Sequence, residues 1–445
     1  ANYFDSIDFQ QLRNVISAHT QVDEAITDFL FFMIDGVSWK PDYLPFPGRG
    51  LPQVNFDAPR LLAHSFLYDA DSLLKNRTGI EFLRWVDDYT IATHSIEEAK
   101  AVLRDLDELL MTRGIRLNSG KTQILDAQQG AKFLWRDENR WLDVFTKRIA
   151  RLQAKGPIPQ SESLRAKKRF RSFFRKQRVG YWDKVCRRYF TAFSKLKDPY
   201  LQRYVPELLS SQPSIRTSIF RYYKTLGHSK KRVQHVTAYL KSDHVVDDSS
   251  IFEASQTLIA WEIPGKSVYR TYLASLALDL AESVFTEKTE MYFLAALWLV
   301  TKYGTATNLE QLIARSRPIW SSSTFLARQV AASSVRLYPQ TDLLRLIAQH
   351  MVVHNHNSAV SVFTNLNLLR QSNSVTAKEK MYLIPNKNWG PVYPLSKALI
   401  ATARLQSPSD DASLDNLKSS LTKEVSDPIY QEWFHQPNTK TPPER

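Results

Sequence analysis

The chain has 445 residues, 43% of them hydrophobic and 12% aromatic, with only 13 Gly and 21 Pro. This composition excludes a disordered or fibrous protein and, at roughly 150 residues per domain, leaves room for about three domains. Lys+Arg 59 against Asp+Glu 45 give a formal net charge of +14, which points to a polyanionic partner such as nucleic acid and away from a small basic substrate. The single cysteine, Cys186, excludes an intrachain disulfide, and the longest apolar run, Met291 to Val300, is far short of the roughly 20 residues of a membrane span.

In chain order, Pro41, Pro45, Pro47, Gly48 and Gly50 make residues 40–50 a loop, and Ala58 to Leu74 returns to helical spacing. Phe82 to Val86 and Tyr89 to Ala92 read as two short strands around a tight turn. The bulky Trp85, Val86, Tyr89 and Ile91 are expected to bury these strands and leave Asp87 and Asp88 projecting together from the edge. Ile96 to Met111 has helical periodicity and stops before Gly114. From about residue 145 strand signals nearly vanish. Leu164 to Arg178 and Tyr181 to Leu196 read as two basic helices broken at Gly180, with Phe170, Phe173, Phe174, Trp182, Tyr189 and Phe190 on the apolar side. Beyond about residue 245 amphipathic segments succeed one another, among them Ile251 to Trp261, Glu290 to Tyr303, Ser323 to Leu337 and Leu395 to Leu405.

Most of the charge lies in one stretch. Residues 147–188 hold fifteen lysines and arginines against Glu162 and Asp183, a net +13. Clustered cations of this kind hold nucleic-acid phosphates by releasing counterions. The residues expected to contact nucleic acid are Arg165, Lys167, Lys168, Arg169, Arg171, Arg175, Lys176 and Arg178. His350 and His354 would share a helix face, but with no acidic ligand in reach and His356 off that face they read as structural or surface histidines.

Adjacent carboxylates such as Asp87 and Asp88 repel unless a divalent cation neutralises them, and their hard oxygen atoms suit Mg2+. Gly50-Leu51-Pro52-Gln53 ends 34 residues before Asp87, and Leu117-Asn118-Ser119-Gly120-Lys121-Thr122 starts 30 after it. With Tyr3-Phe4-Asp5-Ser6-Ile7-Asp8 at the start, these segments stand in the order of four motifs along a polymerase palm. The sequence thus resembles the reverse transcriptases of bacteria, the retron, group II intron and abortive-infection lineages. Tyr3 to Asp8 looks like motif A, Gly50 to Leu67 like motif B, Arg84 to Tyr89 like the aromatic-x-Asp-Asp motif C, and Gly114 to Thr122 like motif D.

The resemblance implies nucleotidyl transfer with two Mg2+ ions held by Asp87 and Asp88, and Lys121 placed to neutralise the departing pyrophosphate. It also implies that Phe4 gates the sugar in favour of deoxynucleotides, that Gln53 touches the incoming nucleotide or its templating base, and that Trp85 faces the primer end. The sequence departs from the family at four places, one of them Asn55-Phe56-Asp57-Ala58, which replaces the small hydroxyl residue expected there. Val54 stands where glycine is expected after Leu-Pro-Gln, Trp85 replaces the usual Tyr or Phe, and the motif A aspartate would fall two positions before Ala1. Asp5 and Asp8 are poor substitutes, because their spacing places them at a helix start, where an acid also works as a cap. The expectation is therefore a truncated or partly covered chain.

The expected fold class is α+β: a palm at 1–140 with an antiparallel sheet and helices, a basic all-α thumb or connector at 141–245, an α-helical, HEAT-like array at 246–435, and a disordered tail at 436–445. The long helical extension resembles the defence-associated and abortive-infection reverse transcriptases. That likeness implies a cytoplasmic enzyme of antiphage defence that copies a noncoding RNA into DNA from dNTPs, as a homo-oligomer or with a companion protein and with no membrane partner. A template-independent, protein-primed polymerase and an inactive RNA-binding scaffold are the alternatives.

Overall fold

The structure, a computed structural model, describes residues 3–37, 49–52, 57–77, 79–245, 247–287, 290–386, 392–407 and 411–435. Gln53, Val54 and the expected tail lie outside the described residues. The chain divides into two compact units, Ala1–Gly130 and Ala131–Arg445.

In the first unit, α1 (Tyr3–Ser6) leads into α2 (Phe9–His19), α3 (Glu24–Val37), α4 (Asp57–Ser65) and α5 (Tyr68–Lys75), followed by the hairpin β1 (Glu81–Trp85) and β2 (Asp88–Ala92) and by α6 (Ile96–Thr112). Asp8 caps α2 as expected, its Oδ1 accepting from the Gln11 amide at 3.0 Å. Ser95 caps α6 in the same way at 3.1 Å, while the Glu98 carboxylate accepts from the His94 amide at 2.6 Å, so that each side chain satisfies a free amide of the other's turn. The helix expected over 58–74 is broken between α4 and α5. The break follows from the apolar positions: Ala63 and Phe66 pack with Leu12 and Val15 of α2, whereas Ala70 and Leu74 pack with Val102 and Leu106 of α6. One straight helix cannot serve two separate clusters.

The hairpin is antiparallel with Phe82 opposite Ile91, Arg84 opposite Tyr89, and Trp85 opposite Asp88. Its burial corrects the expectation from sequence. Phe82, Tyr89 and Ile91 face the α5–α6 cluster, but Leu83 and Trp85 are 77% and 82% exposed. The period-2 alternation puts Arg84 on the inner face with Phe82, Tyr89 and Ile91, and Leu83 and Trp85 on the outer one.

The second unit has helices joined by turns and no strand among its described residues. After α7 (Ala127–Phe133), which spans the division, come α8 (Arg136–Lys155), α9 (Gln160–Phe174) and α10 (Trp182–Leu196). A 3-10 segment, Pro199–Tyr204, leads to α11 (Val205–Ser211), α12 (Arg216–Leu226), α13 (Lys230–Leu240), α14 (Asp248–Ala260), α15 (Val268–Glu287) and α16 (Glu290–Tyr303), and helices continue to Pro428–His435. Packing runs between alternate helices: α10 on α12, α12 on α14 and α14 on α16, with α11 on α13 and α13 on α15 alongside. This is the two-layer, neighbour-to-neighbour stacking of a helical array. One hydrophobic cluster extends from Trp135 to Phe434, so the core does not divide at residue 245. The apolar run Met291 to Val300 is the middle of α16, which is buried almost all round. No described helix is long and apolar enough to cross a membrane.

Candidate active site

Asp87 and Asp88 sit where a two-residue loop, Val86-Asp87, joins β1 to β2. Such tight loops need positive φ at the first loop residue. Val86 supplies it at φ 59°, although a β-branched side chain is strained there. Asp87 is exposed in the loop; Asp88 is exposed on the outer face, the cross-strand neighbour of Trp85.

The strained turn is held from beneath. Arg84, its side chain only 4% exposed, donates from Nη1 to the Val86 carbonyl at 3.0 Å. Its Nε donates to Asp71 Oδ1 of α5 at 2.7 Å, and its Nη2 closes the second arm of the fork on Asp71 Oδ2. The Tyr89 hydroxyl donates to the same Oδ1 at 3.0 Å, and His64 of α4 packs its ring nitrogen 2.9 Å from Arg84 Nη1. Burial pushes the Tyr89 hydroxyl far up, and the Asp71 charge adds to it. For Arg84 the cost of burial is outweighed by the hydrogen bond and charge of Asp71, so its pKa rises. The sequence reading placed Arg84 and Tyr89 in the motif C segment but gave them no role in holding the turn, and it missed Asp71 and His64. An arginine at an inward strand position was the available signal, because it requires a buried partner.

The segment read as motif A stands beside this hairpin. Burial raises the pKa of the Tyr3 hydroxyl, and the field of Asp87 raises it further. Phe4 is half-buried, its ring edge-on to Tyr3 at 5.9 Å. Its carbonyl accepts from the Leu51 amide at 3.0 Å, and the Ile7 carbonyl accepts from the Gly50 amide at 2.8 Å. With the Asp8–Arg49 bridge, the start of the chain and the entry to the motif B segment are joined by backbone pairing. Gly50 has φ +104°, with Asp5 backbone atoms 3.5 Å from where a Cβ would stand, so glycine serves that crossing.

Residues 1–135 match the family model described as reverse transcriptase (RNA-dependent DNA polymerase). This segment is a reverse transcriptase domain. No curated protein and no solved structure matches the chain significantly. The domain's activity is that of an RNA-directed DNA polymerase, a nucleotidyltransferase, whose substrates are dNTPs and a nucleic-acid template.

Within the reverse transcriptase domain, Lys121 is exposed on a turn in which its own amide and that of Thr122 donate to the Asn118 carbonyl, both at 2.9 Å. It makes no ion pair among the described residues. No group of three His, Cys, Asp or Glu side chains among the described residues converges as a metal-ligand set. Asp87 and Asp88 alone still fit a magnesium ion, which is commonly bound by one or two carboxylates, substrate phosphates and water.

The basic helices belong to the second unit. Phe170 and Phe173 are fully buried as expected, but the positive charge is more neutralised than residues 147–188 count by themselves. Glu138, on α8 and 2% exposed, accepts from Arg169 Nε at 3.0 Å and from the Tyr189 hydroxyl at 2.9 Å, with Lys176 at 3.7 Å. Glu162, equally buried, takes Arg148 at 2.7 Å and Arg165 at 3.4 Å. Lys167 pairs with Asp198 at 2.6 Å, and Arg178 pairs with Glu207. Lys168, Arg171 and Arg175 are exposed and have no acidic partner among the described residues. The linear count omits acids that folding brings against the segment. As for the histidines, His356 is buried with its ring nitrogens against the Ser321 carbonyl at 2.8 Å and Thr324 Oγ1 at 3.1 Å, and His350 lies 3.0 Å from Arg317 Nη1.

Proposed function

We propose that the protein is a magnesium-dependent reverse transcriptase of a bacterial antiphage defence system, copying a noncoding RNA into DNA. The observation that carries the chemical part is the hairpin tip, where Asp87 and Asp88 are exposed at a turn clamped by Arg84 and Asp71. Asp87 and Asp88 would hold the magnesium ions. When bound, these ions lower the pKa of the primer hydroxyl and stabilise the leaving pyrophosphate. The chain's own residues orient the substrates. Trp85 offers an exposed ring beside Asp88 on which the primer's last base can stack. Phe4 stands at the sugar as a gate against a 2′-hydroxyl, Gln53 meets the incoming nucleotide, and Lys121 supplies positive charge to the departing phosphates. The exposed cations Lys168, Arg171 and Arg175, backed by Arg165, Lys167, Arg169, Lys176 and Arg178, would grip the duplex through its phosphates. The long helical array supports the defence reading, since it offers a surface for a structured RNA, a second copy or a companion protein.

The second reading is a scaffold that grips RNA without chemistry, which rests on the exposed cations Lys168, Arg171 and Arg175 of the basic helices. Primer extension on the RNA that copurifies with the full-length protein separates the two. Asp87→Ala should reduce dNTP incorporation to background while RNA retention stays within about twofold. Equal incorporation by wild type and variant would reject the assigned site, and product whose sequence ignores the copurified RNA would reject templating. Cells carrying the protein should plate phage poorly, and Asp87→Ala should restore plaques.

A further inference from the structure

A recess in the second unit gathers three unneutralised guanidinium groups over an aromatic floor. It is lined by Arg171, Phe174 and Arg175 at the end of α9 and by Tyr200, Arg203 and Tyr204 of the 3-10 segment, and it encloses about 430 Å³, within the roughly 300–1,000 Å³ span of small-ligand sites. None of the three arginines has an acidic partner among the described residues. The acids of the adjoining chain are already engaged: Asp198 accepts from Lys167 at 2.6 Å and from the Ser163 hydroxyl, and Glu207 pairs with Arg178.

The polar atoms converge. Arg171 Nε donates to the Tyr200 hydroxyl at 3.3 Å, and that hydroxyl lies 3.4 Å from the Tyr204 hydroxyl. Arg203 stacks over the Tyr200 ring at 4.5 Å. The rings of Phe174 and Tyr204 meet at 4.6 Å, both half-buried, so part of their surface faces the recess. Burial pushes the Tyr200 hydroxyl up, but its bonds with Tyr204 and Arg171 and the charges of Arg171 and Arg203 bring it below the ordinary tyrosine value.

Like charges held together in a partly enclosed site repel one another, and an anion of two or more charges relieves that repulsion. Arginine forks match phosphate oxygens with paired hydrogen bonds, and an adjacent aromatic surface accepts a base by stacking. We propose that this recess is a second nucleotide site, separate from the hairpin carboxylates, which binds a phosphorylated nucleotide unit through Arg171, Arg175 and Arg203. The unit is the 5′-phosphorylated end of a nucleic-acid chain or a free nucleotide. It stands on the recess alone and does not require that the reverse transcriptase domain be active.

Fluorescence anisotropy on the full-length protein tests this, using a 3′-labelled single-stranded 8-mer with either a 5′-phosphate or a 5′-hydroxyl and, separately, a fluorescent dATP analogue. Binding of the 5′-phosphorylated 8-mer should be at least fivefold tighter than that of its hydroxyl twin if the ligand is a chain end. Tight binding of the analogue that is displaced by unlabelled dATP and lost in the Arg171→Ala, Arg203→Ala double variant, with no 8-mer preference, identifies a free nucleotide in the recess, because measuring in magnesium-free buffer suppresses dNTP binding at the hairpin carboxylates. In either case Arg171→Ala with Arg203→Ala should abolish the effect, and Arg175→Ala, at the exposed end of α9, should weaken it without perturbing thermal unfolding. Asp87→Ala should leave it intact, so failure of the polymerase reading is seen separately. Equal affinity for the two 8-mers together with no saturable binding of the analogue would overturn the proposal, as would an effect that survives the double substitution in folded protein.

Discussion

At the hairpin tip a branched side chain occupies left-handed backbone, with Val86 at φ 59°. That conformation costs an L-residue about 1–2 kcal/mol, and it persists because Arg84 ties the Val86 carbonyl to Asp71. Val86→Asn, which tolerates the conformation, should therefore leave the melting temperature unchanged or slightly raised. Arg84 should be far less tolerant. Removing one partner of a buried ion pair costs about 3–5 kcal/mol, so Arg84→Ala should lower thermal stability by that order and abolish incorporation. Arg84→Lys keeps the charge but not the fork, and as a change in a positioning residue it should lower kcat several-fold more than it raises KM for dNTP. Steady-state primer extension reads that split. Asp87 and Asp88 were legible in the sequence as paired acids between strand-like runs. The clamp was not, because Asp71 lies in a separate helix and no local pattern ties it to Arg84.

Between elements, buried acids decide how the basic helices assemble. Glu138 links α8 to Arg169 of α9 and Tyr189 of α10. Glu138→Ala would leave the Tyr189 hydroxyl buried without its acceptor, at a cost of about 1–3 kcal/mol, and Glu138→Gln should recover part of this in urea unfolding. The break at Gly180 is as strictly required. Its φ is +55°, and an added Cβ would stand 2.2 Å from the Phe133 carbonyl oxygen, the same oxygen that accepts from the Tyr181 amide at 2.9 Å. Gly180→Ala should lower the melting temperature by several degrees. On the acid side, burial raises the pKa of Asp198, but Lys167, Ser163 and the Tyr200 amide more than offset it, leaving it below its ordinary 3.8. Its contribution is thus fully present above about 3.8 and is lost as pH falls through the lower folded value. Asp198→Asn should flatten that part of the stability profile. Helix positions and inward phenylalanines were readable from spacing because they follow a local period. The neutralisation of the cations was not, since Glu138, Asp198 and Glu207 all lie outside the charged stretch.

Across the whole chain, the array behaves as a single core. Cys186 is fully buried in it, and burial pushes its thiol well above the usual cysteine value. Alkylation by iodoacetamide should therefore be slow in the native protein and complete once it is unfolded in guanidinium. The succession of helices beyond residue 245 was legible, including Glu290–Tyr303 and Leu395–Leu405 to the residue. Their common core with the basic helices was not, because which helix stacks on which depends on contacts distant in sequence.

In α16 the fully buried Lys302 ammonium meets Asp427 Oδ2 at 2.5 Å and the carbonyls of Ile259 and Trp261 at 2.6 and 3.0 Å. Its counter-charge lies 125 residues further along. During synthesis, at about 5–20 residues per second, the centre of the array emerges several seconds before the carboxylate that completes it. Until Asp427 arrives the lysine has no buried counter-charge, so the final helices act as a latch on this part of the stack, and chains terminated before Asp427 should be cut faster than the full chain in limited proteolysis.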